Sequence, residues 1–432
     1  MRRKIETLLL EWKNKSNRMP LLMHGARQVG KTYILSEFGE KHFRNTVYVN
    51  LETNMLVADY FADDITPERL IRFLETTAGD LITPGETLIF FDEIQSCERA
   101  LTSLKYFCEL APEYHVAAAG SLLGVAIKRE KRAKNSFPVG KTESIMLHPL
   151  DFEEFLWAAG EERLAADIRR CFAGMEPMPD ALHQKSMEFY RYYLITGGMP
   201  ACVNSFAKNG KLVLVPTIQN DIVNSYVADM AKYADTSETV KIRACFNSVQ
   251  TQLAKENKKF QYKVVQKGGS ATLFGASIDW LAQAGVVLKC KKIDHAYNPI
   301  PVYEDLSSFK LYMNDVGLLV MKAGVPQQTV LSGEANFFMG SVAENYIAQT
   351  LASNGYPLFY WTSEHTAEVD FVIQKDKDIF GIEVKKGIKT RSKSLSVFAG
   401  KYSPACLIRF SEKNFGRSED IFSIPHYAAF CV

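Results

Sequence analysis

Three absences bound the reading of this 432-residue sequence. The first is any paired cysteine motif. Its eight cysteines, Cys97, Cys108, Cys171, Cys202, Cys245, Cys290, Cys406 and Cys431, are scattered and contain no C-x-x-C pair. That pattern reads as buried reduced thiols, which excludes a zinc module and a disulfide framework. The second absence is a long apolar run. No stretch approaches the ~18 residues a membrane-spanning helix needs. Leu8-Leu9-Leu10, behind the basic start Arg2-Arg3-Lys4, is too short for the core of a secretion signal. A cytoplasmic protein with no membrane partner is the expectation. The third absence is a charge excess. Lys and Arg total 51 against 49 Asp and Glu, leaving +2. A histone-like coat of positive charge is therefore excluded, and any nucleic-acid surface must be a local patch. Internal repeats and low-complexity segments are absent as well.

What is present is ordinary globular material. Apolar residues make up 47% and charged residues 23%, enough for more than one core, and the length suggests about three domains. Short apolar runs at Pro20–His24, Val47–Leu51, Leu88–Phe91 and His115–Ala119 alternate with helical patterns. This alternation predicts a parallel sheet with helices on both faces. From Phe152 to about Ala234 the spacing turns helical, with Phe152, Phe155, Leu156 and Ala159, then Phe189, Tyr192 and Tyr193 before the break at Gly197-Gly198-Met199-Pro200. Helical stretches at Val240–Lys255 and Ile278–Gly285 and a strand at Val286–Cys290 fit a winged helix-turn-helix. Lys255, Lys258, Lys259, Lys263 and Lys267 lie around it. A DNA-binding winged helix and a plain connector are equally weighted readings. Beyond Pro299, a β-like Leu311-Tyr312-Met313 and a helix at Phe337–Ser353 precede two strands, Glu368–Ile373 and Ile379–Lys385, joined by the polar hairpin Gln374–Asp378.

Gly25-Ala26-Arg27-Gln28-Val29-Gly30-Lys31-Thr32 fits G-x-x-x-x-G-K-[ST] at every fixed position. Glycines let the backbone curl around phosphate oxygens with its N–H groups turned inward. The helix starting at Lys31 points its positive end at the same place. Lys31 is expected to reach the β- and γ-phosphates of ATP, and Thr32 to ligate Mg²⁺. The apolar run Thr87–Phe91 ends in Asp92-Glu93. Asp92 would hold the Mg²⁺ water shell, and Glu93 would polarise the attacking water, a role worth roughly 10²–10⁴ in rate. Ser121, after the next strand, is placed to sense the γ-phosphate, although an ordinary turn serine explains it equally well.

With these residues in place the sequence resembles the prokaryotic AAA+-type ATPases that carry a C-terminal domain of unknown function. The resemblance rests on Gly25–Thr32, Asp92-Glu93-Ile94-Gln95, Ala119-Gly120-Ser121, His148-Pro149-Leu150-Asp151-Phe152-Glu153-Glu154-Phe155 and Gly197-Gly198-Met199-Pro200. One position departs from it: Gly140-Lys141 stands where relatives usually show Gly-Arg, and a lysine lacks the planar fork of an arginine. Arg129 and Arg132 are the nearest substitutes for a trans-acting arginine, in a stretch, Lys128–Lys134, better read as a solvated basic segment.

A second constellation lies near the C-terminus. Asp370 and, across the hairpin, Glu383-Val384-Lys385 form D-x12-E-x-K. Residues two apart on a strand share a face, so Glu383 and Lys385 are expected to project together while Ile382 and Val384 pack inward. Two carboxylates and a lysine suit a Mg²⁺ or Mn²⁺ site, with Glu344 on the preceding helix as a third carboxylate. This arrangement resembles the PD-(D/E)xK nuclease superfamily. Lys386, Lys389, Arg391 and Lys393 follow it and could track a phosphate backbone.

The expected fold is α/β: a P-loop parallel-sheet ATPase core over 1–150, a helical lid subdomain over 151–235, a winged-helix-like connector over 236–298, and a restriction-endonuclease-like domain over 299–432. The expected function is Mg²⁺-dependent ATP hydrolysis coupled to a nuclease-like domain acting on DNA or another nucleic acid. The alternative is a nucleotide-controlled switch or scaffold that binds a partner and cuts nothing. Copies of the same chain are a further partner class, as a homo-oligomer.

Overall fold

The computed structural model describes residues 1–121, 140–233, 236–334, 336–364, 367–387, 393–418 and 420–432. The chain divides into two compact units. One comprises Arg3–His148 with Gln283–Gly285, and the other Met1–Arg2 with Pro149–Ala282 and Val286–Val432.

The first unit is built on five parallel strands, β1 (Leu21–His24), β2 (Asn45–Asn50), β3 (Thr87–Asp92), β4 (His115–Gly120) and β5 (Glu143–Met146), in the order β2-β3-β4-β1-β5. Every residue of β3 and β4 is buried, as expected for inner strands covered on both faces. Helices α1 (Ile5–Asn14), α2 (Lys31–His42), α3 (Met55–Asp63), α4 (Pro67–Ala78) and α5 (Glu98–Leu110) accompany the sheet. Pro67 opens α4, and Gly79, with φ 74°, ends it. Phe61, Phe91, Leu101 and Phe107 belong to one buried cluster. The strand order matters for chemistry. It sets the C-terminal ends of β1, β4 and β3 side by side, so the Gly25 loop, Ser121 and Asp92 emerge along one edge, the edge at which open α/β sheets bind ligands.

The second unit begins with the expected helical region: Phe152–Ala158, Glu162–Gly174, Asp180–Thr196, Pro200–Asn209 and Val215–Tyr233. An Asp151–Glu154 capping box starts the first of these. Two segments of the family resemblance interlock here. Leu150 N–H donates to Gly198 O at 2.7 Å, and a Cβ on Gly198 would lie 1.9 Å from Leu150 O, so only glycine fits. Gly198 N–H in turn donates to Asp315 Oδ2 at 2.6 Å, while Asp315 Oδ1 accepts from Leu318 N–H at 2.9 Å. Asp315 is fully buried, and that burial pushes its carboxyl up to about 6.

Helices Thr236–Leu253, Tyr262–Val265 and Ala271–Gln283 follow, then an eight-stranded mixed sheet. Its strands are β6 (Val287–Ile293), β7 (Glu304–Met313), β8 (Phe359–Thr362), β9 (Glu368–Lys375), β10 (Asp378–Val384), β11 (Cys406–Ser411), β12 (Gly416–Ser418) and β13 (Ile421–Pro425). They run in the order β12-β13-β11-β10-β9-β8-β6-β7. The expected strand after Gly285 exists as β6, but it pairs antiparallel with β7 and parallel with β8. The expected boundary at 298/299 therefore cuts through a sheet, and residues 151–235, 236–298 and 299–432, apart from Gln283–Gly285, fall in one compact unit.

Candidate nucleotide site and the C-terminal carboxylates

The loop after β1 has the backbone its glycines permit. Gly25 has φ 149° and Gly30 φ 96°, with Gln28 at 64° between them. A Cβ on Gly25 would stand 2.3 Å from Leu147 O. Gly30 N-caps α2, whose first residue is Lys31. The Lys31 side chain is buried and folds back over the loop, its Nζ donating to Gly25 O and Ala26 O, both at 2.9 Å. Thr32 Oγ1 donates to Asp92 Oδ2 at 2.8 Å, and Asp92 Oδ1 accepts from Glu93 N–H at 3.0 Å. A hydroxyl and a carboxylate oxygen in contact match the few protein oxygens Mg²⁺ takes when phosphate and water fill its other positions. Among the described residues no three His, Cys, Asp or Glu side chains gather into a group that could hold a metal.

Glu93 adopts a left-handed backbone, φ 50° and ψ 43°, at the sharp turn after β3. Such a conformation is uncommon for a non-glycine residue and clusters at functional positions. Its carboxyl is pushed upward, first by burial and then by Asp92 and Glu52, while Gln95 and Lys31 oppose that shift. Gln95 Nε2 donates to Glu93 Oε2 at 2.5 Å. Ser121 is buried, one residue beyond β4.

Three residues not singled out in the sequence belong to this site. Arg3 is buried at 8% exposure. Its Nη1 donates to Val29 O inside the loop at 3.3 Å and its Nη2 to His148 O at 2.7 Å. In sequence it reads only as part of a basic start. Tyr48, on β2, donates its hydroxyl to Asp92 Oδ2 at 3.0 Å. His24, the residue before the loop, is held low by burial and then by Lys31. His148 is held down to about 4 by burial, then by His24 and Arg3. Lys141, the departure from the family pattern, pairs with Glu109 at 3.2 Å. Arg129 and Arg132 lie outside the described residues.

At the C-terminal constellation the hairpin is present. β9 and β10 pair antiparallel with Ile382 opposite Phe371, and Asp370 Oδ2 accepts from Val384 N–H at 2.8 Å. Glu383 and Lys385 project together, as expected, but Glu383 is not on an open face. It is 2% exposed, as buried as Ile382 at 0%, because this inner strand is covered on both faces. Its Oε1 lies 3.0 Å from Lys385 Nζ and its Oε2 3.5 Å from Arg409 Nε. Glu344 is likewise buried. Its Oε1 accepts from Lys310 Nζ at 3.1 Å and from the Tyr312 hydroxyl, and its Oε2 accepts from Lys258. Lys310 also pairs with Glu368 at 2.5 Å. Asp370 is pushed up to about 7, first by burial and then by repulsion from Glu344. Thus Glu344 and Asp370 influence one another, whereas Glu383 is engaged by Lys385 and Arg409. Lys258, expected in an open basic patch, is turned onto Glu344. Lys386 Nζ is taken by the backbone carbonyls of Glu334 and Asn336, at 3.2 and 3.0 Å. Lys389 and Arg391 fall outside the described residues, and Lys393 directly precedes the helix Ser394–Tyr402.

With both sites laid out, comparison with known proteins is informative. Residues 17–156 match the family model of the AAA domain. The phosphate-loop unit has the fold of an AAA-type P-loop ATPase. Residues 187–329 match a domain of unknown function, DUF8612, and residues 339–427 another, DUF4143. Uncharacterized proteins of Mycobacterium bovis and of Mycobacterium tuberculosis are each 25% identical to this chain over 121 residues, 27% of this chain and 27% of theirs. The chain thus matches about a quarter of the length of those curated relatives. A Walker-type ATPase of Pyrococcus abyssi is similar at 12% identity over 74% of this chain and 95% of that one, with a TM-score of 0.46. The ORC2 protein of Aeropyrum pernix, solved as ADPNP–ADP complexes, is similar at 11% identity over 78% and 90%, with a TM-score of 0.37. Among the described residues no helix is long and apolar enough to cross a membrane.

Proposed function

We propose that this chain binds and hydrolyses ATP with Mg²⁺, and that the nucleotide cycle drives its C-terminal half. The observation that carries the reading is the contact between Thr32 and Asp92 at the mouth of the glycine loop, with Lys31 lying along that loop. Lys31 would exchange the two carbonyls for phosphate oxygens. Gly25, Ala26, Arg27, Gln28, Val29 and Gly30 would supply backbone N–H groups, and Thr32 with Asp92 would hold Mg²⁺, which neutralises charge on the phosphates. Glu93 would take the proton of the attacking water, and Ser121 would face the γ-phosphate from the end of β4. Nucleotide at about 100 times its dissociation constant stabilises the folded state by ~2.7 kcal/mol, a rise of several degrees in melting temperature. Lys31→Ala is expected to abolish that rise. Glu93→Gln is expected to keep it and to lower phosphate release by roughly two to four orders of magnitude. An undiminished shift in Lys31→Ala would remove the assignment.

For the C-terminal half two readings stand. Asp370 and Glu383 on paired strands, with Lys385, support metal-dependent cleavage of nucleic acid at Glu344, Asp370 and Glu383. The ion pairs from Lys258, Lys310, Lys385 and Arg409 to those carboxylates favour the second, a nucleotide-controlled switch or scaffold whose C-terminal half binds a partner without cutting it. Plasmid and single-stranded DNA incubated with the full chain, ATP and Mn²⁺ distinguish them. Cleavage lost in Asp370→Ala supports the first reading, and intact DNA under every condition supports the second.

A further inference from the structure

Gln95 is not used by the reading above, yet its amide is split between two very different surroundings. Nε2 donates to Glu93 Oε2 at 2.5 Å. The assignment of nitrogen and oxygen is fixed by chemistry, since an ionised carboxylate only accepts. The other end, Oε1, is buried and meets no hydrogen-bond donor among the described residues. Buried polar atoms are paired in the great majority of cases, and leaving one unpaired costs about 1–3 kcal/mol. The one-turn helix Ile94–Ser96 fixes the arrangement. It starts from Glu93 in its left-handed conformation, and Ser96 N–H returns to Glu93 O at 2.9 Å, so the side chains of residues 93 and 95 meet across a single turn. With Oε2 occupied by Gln95, Glu93 keeps Oε1 for a proton.

We propose that Gln95 is a water-positioning residue for ATP hydrolysis: its Nε2 fixes the Glu93 carboxylate, and its Oε1 accepts one O–H of the water whose other O–H faces Glu93 Oε1. This rests on the ATP-hydrolysis reading. In the step itself the water oxygen forms the new bond to the γ-phosphorus as its proton passes to Glu93 Oε1. The bond from that phosphorus to the β–γ bridging oxygen breaks, and ADP leaves with the electron pair. The hydrogen held by Gln95 stays on the phosphate product. A carboxylate anchored on one oxygen and a water held at two points leave little to reorganise when the bond forms.

The test compares wild type, Gln95→Met, Gln95→His and Glu93→Gln in the full chain. The readouts are kcat and KM for ATP, and the melting shift with a non-hydrolysable ATP analogue. For Gln95→Met the expected result is kcat lower by roughly tenfold or more, KM within about threefold, and an unchanged melting shift. Gln95→His, which keeps a donor and an acceptor, is expected to recover part of kcat. A kcat at the wild-type value in Gln95→Met, or kcat and nucleotide binding lost together, overturns the role. Equal hydrolysis by wild type and Glu93→Gln overturns the hydrolysis reading and this inference with it.

Discussion

A single residue can hold a segment through its side-chain oxygens, and Asp315 shows how that hold depends on pH. Its carboxylate is fully buried and accepts from Gly198 and Leu318 N–H groups, yet burial lifts it from 3.8 to about 6. The folded protein therefore holds this proton more tightly than the unfolded chain does. The contribution of Asp315 to stability is largest below about pH 4, falls as pH rises from about 4 to 6, and is level above that, a swing of roughly 1–3 kcal/mol. Asp315→Asn keeps one acceptor, strands one N–H at a cost of about 1–3 kcal/mol, and carries no titration. The difference in unfolding free energy between wild type and Asp315→Asn, followed by urea denaturation from pH 4 to 7, is expected to shrink as pH rises. A difference that is flat with pH would place the charge of Asp315 elsewhere. Phosphate-loop residues could be read directly from the sequence because each does a job only a few residue types can do: glycine at positive φ, lysine and threonine at the helix start. Arg3 and Tyr48 could not, since an arginine and a tyrosine at those positions carry no spacing signal, and Gln95 stood out only as part of the motif Asp92–Gln95, without a role. Their roles depend on which carbonyl or carboxylate the fold brings to them.

At the scale of elements, strand existence was legible, and strand pairing only in part: the parallel sheet and the β9–β10 hairpin were, the partners of β6 were not. The apolar runs in the first unit became β1 to β4 within two residues of their expected ends, because a buried parallel strand is a compact, nearly continuous apolar signal. β5 (Glu143–Met146) escaped notice because its residues are mostly half-buried and it sits at the sheet edge. β6 was expected as a strand but given to the wrong neighbours. Its burial at Val287, Cys290 and Ile293 only states no partner. That misassignment has a measurable consequence. A fragment beginning at residue 299 lacks β6, the strand joining β7 to β8 in the sheet order, and exposes two unpaired edges. We expect the 299–432 fragment to show no cooperative thermal transition by circular dichroism, whereas the full chain unfolds with one or more sharp transitions. A sharp transition in the fragment would show that β6 is dispensable.

At the scale of the whole molecule, the even charge balance read from composition is repeated inside the second unit. There carboxylates are matched by cations: Lys258 and Lys310, from other parts of the chain, to Glu344, and Arg409 with the neighbouring Lys385 to Glu383. A metal that must displace these ammonium groups binds weakly, and a site kept for metal gains stability from it. Wild-type protein titrated with Mn²⁺ in the absence of nucleotide is therefore expected to show the same change in melting temperature on Mn²⁺ addition as Asp370→Ala, if the second unit binds without cutting. A rise specific to wild type would restore the cleavage reading. The Lys310 cluster also has a consequence for how the molecule responds to salt. Lys310 is 1% exposed and Glu344 3%, so dissolved ions cannot enter between them, and the screening that weakens surface pairs within about 10 Å at 0.1 M salt does not reach this one. Exposed pairs such as Arg72 with Glu68 relax their hold as ionic strength rises, while the Glu344 pairing is carried through the same change with its strength intact. The interior of this unit thus behaves as though it brought its own electrolyte.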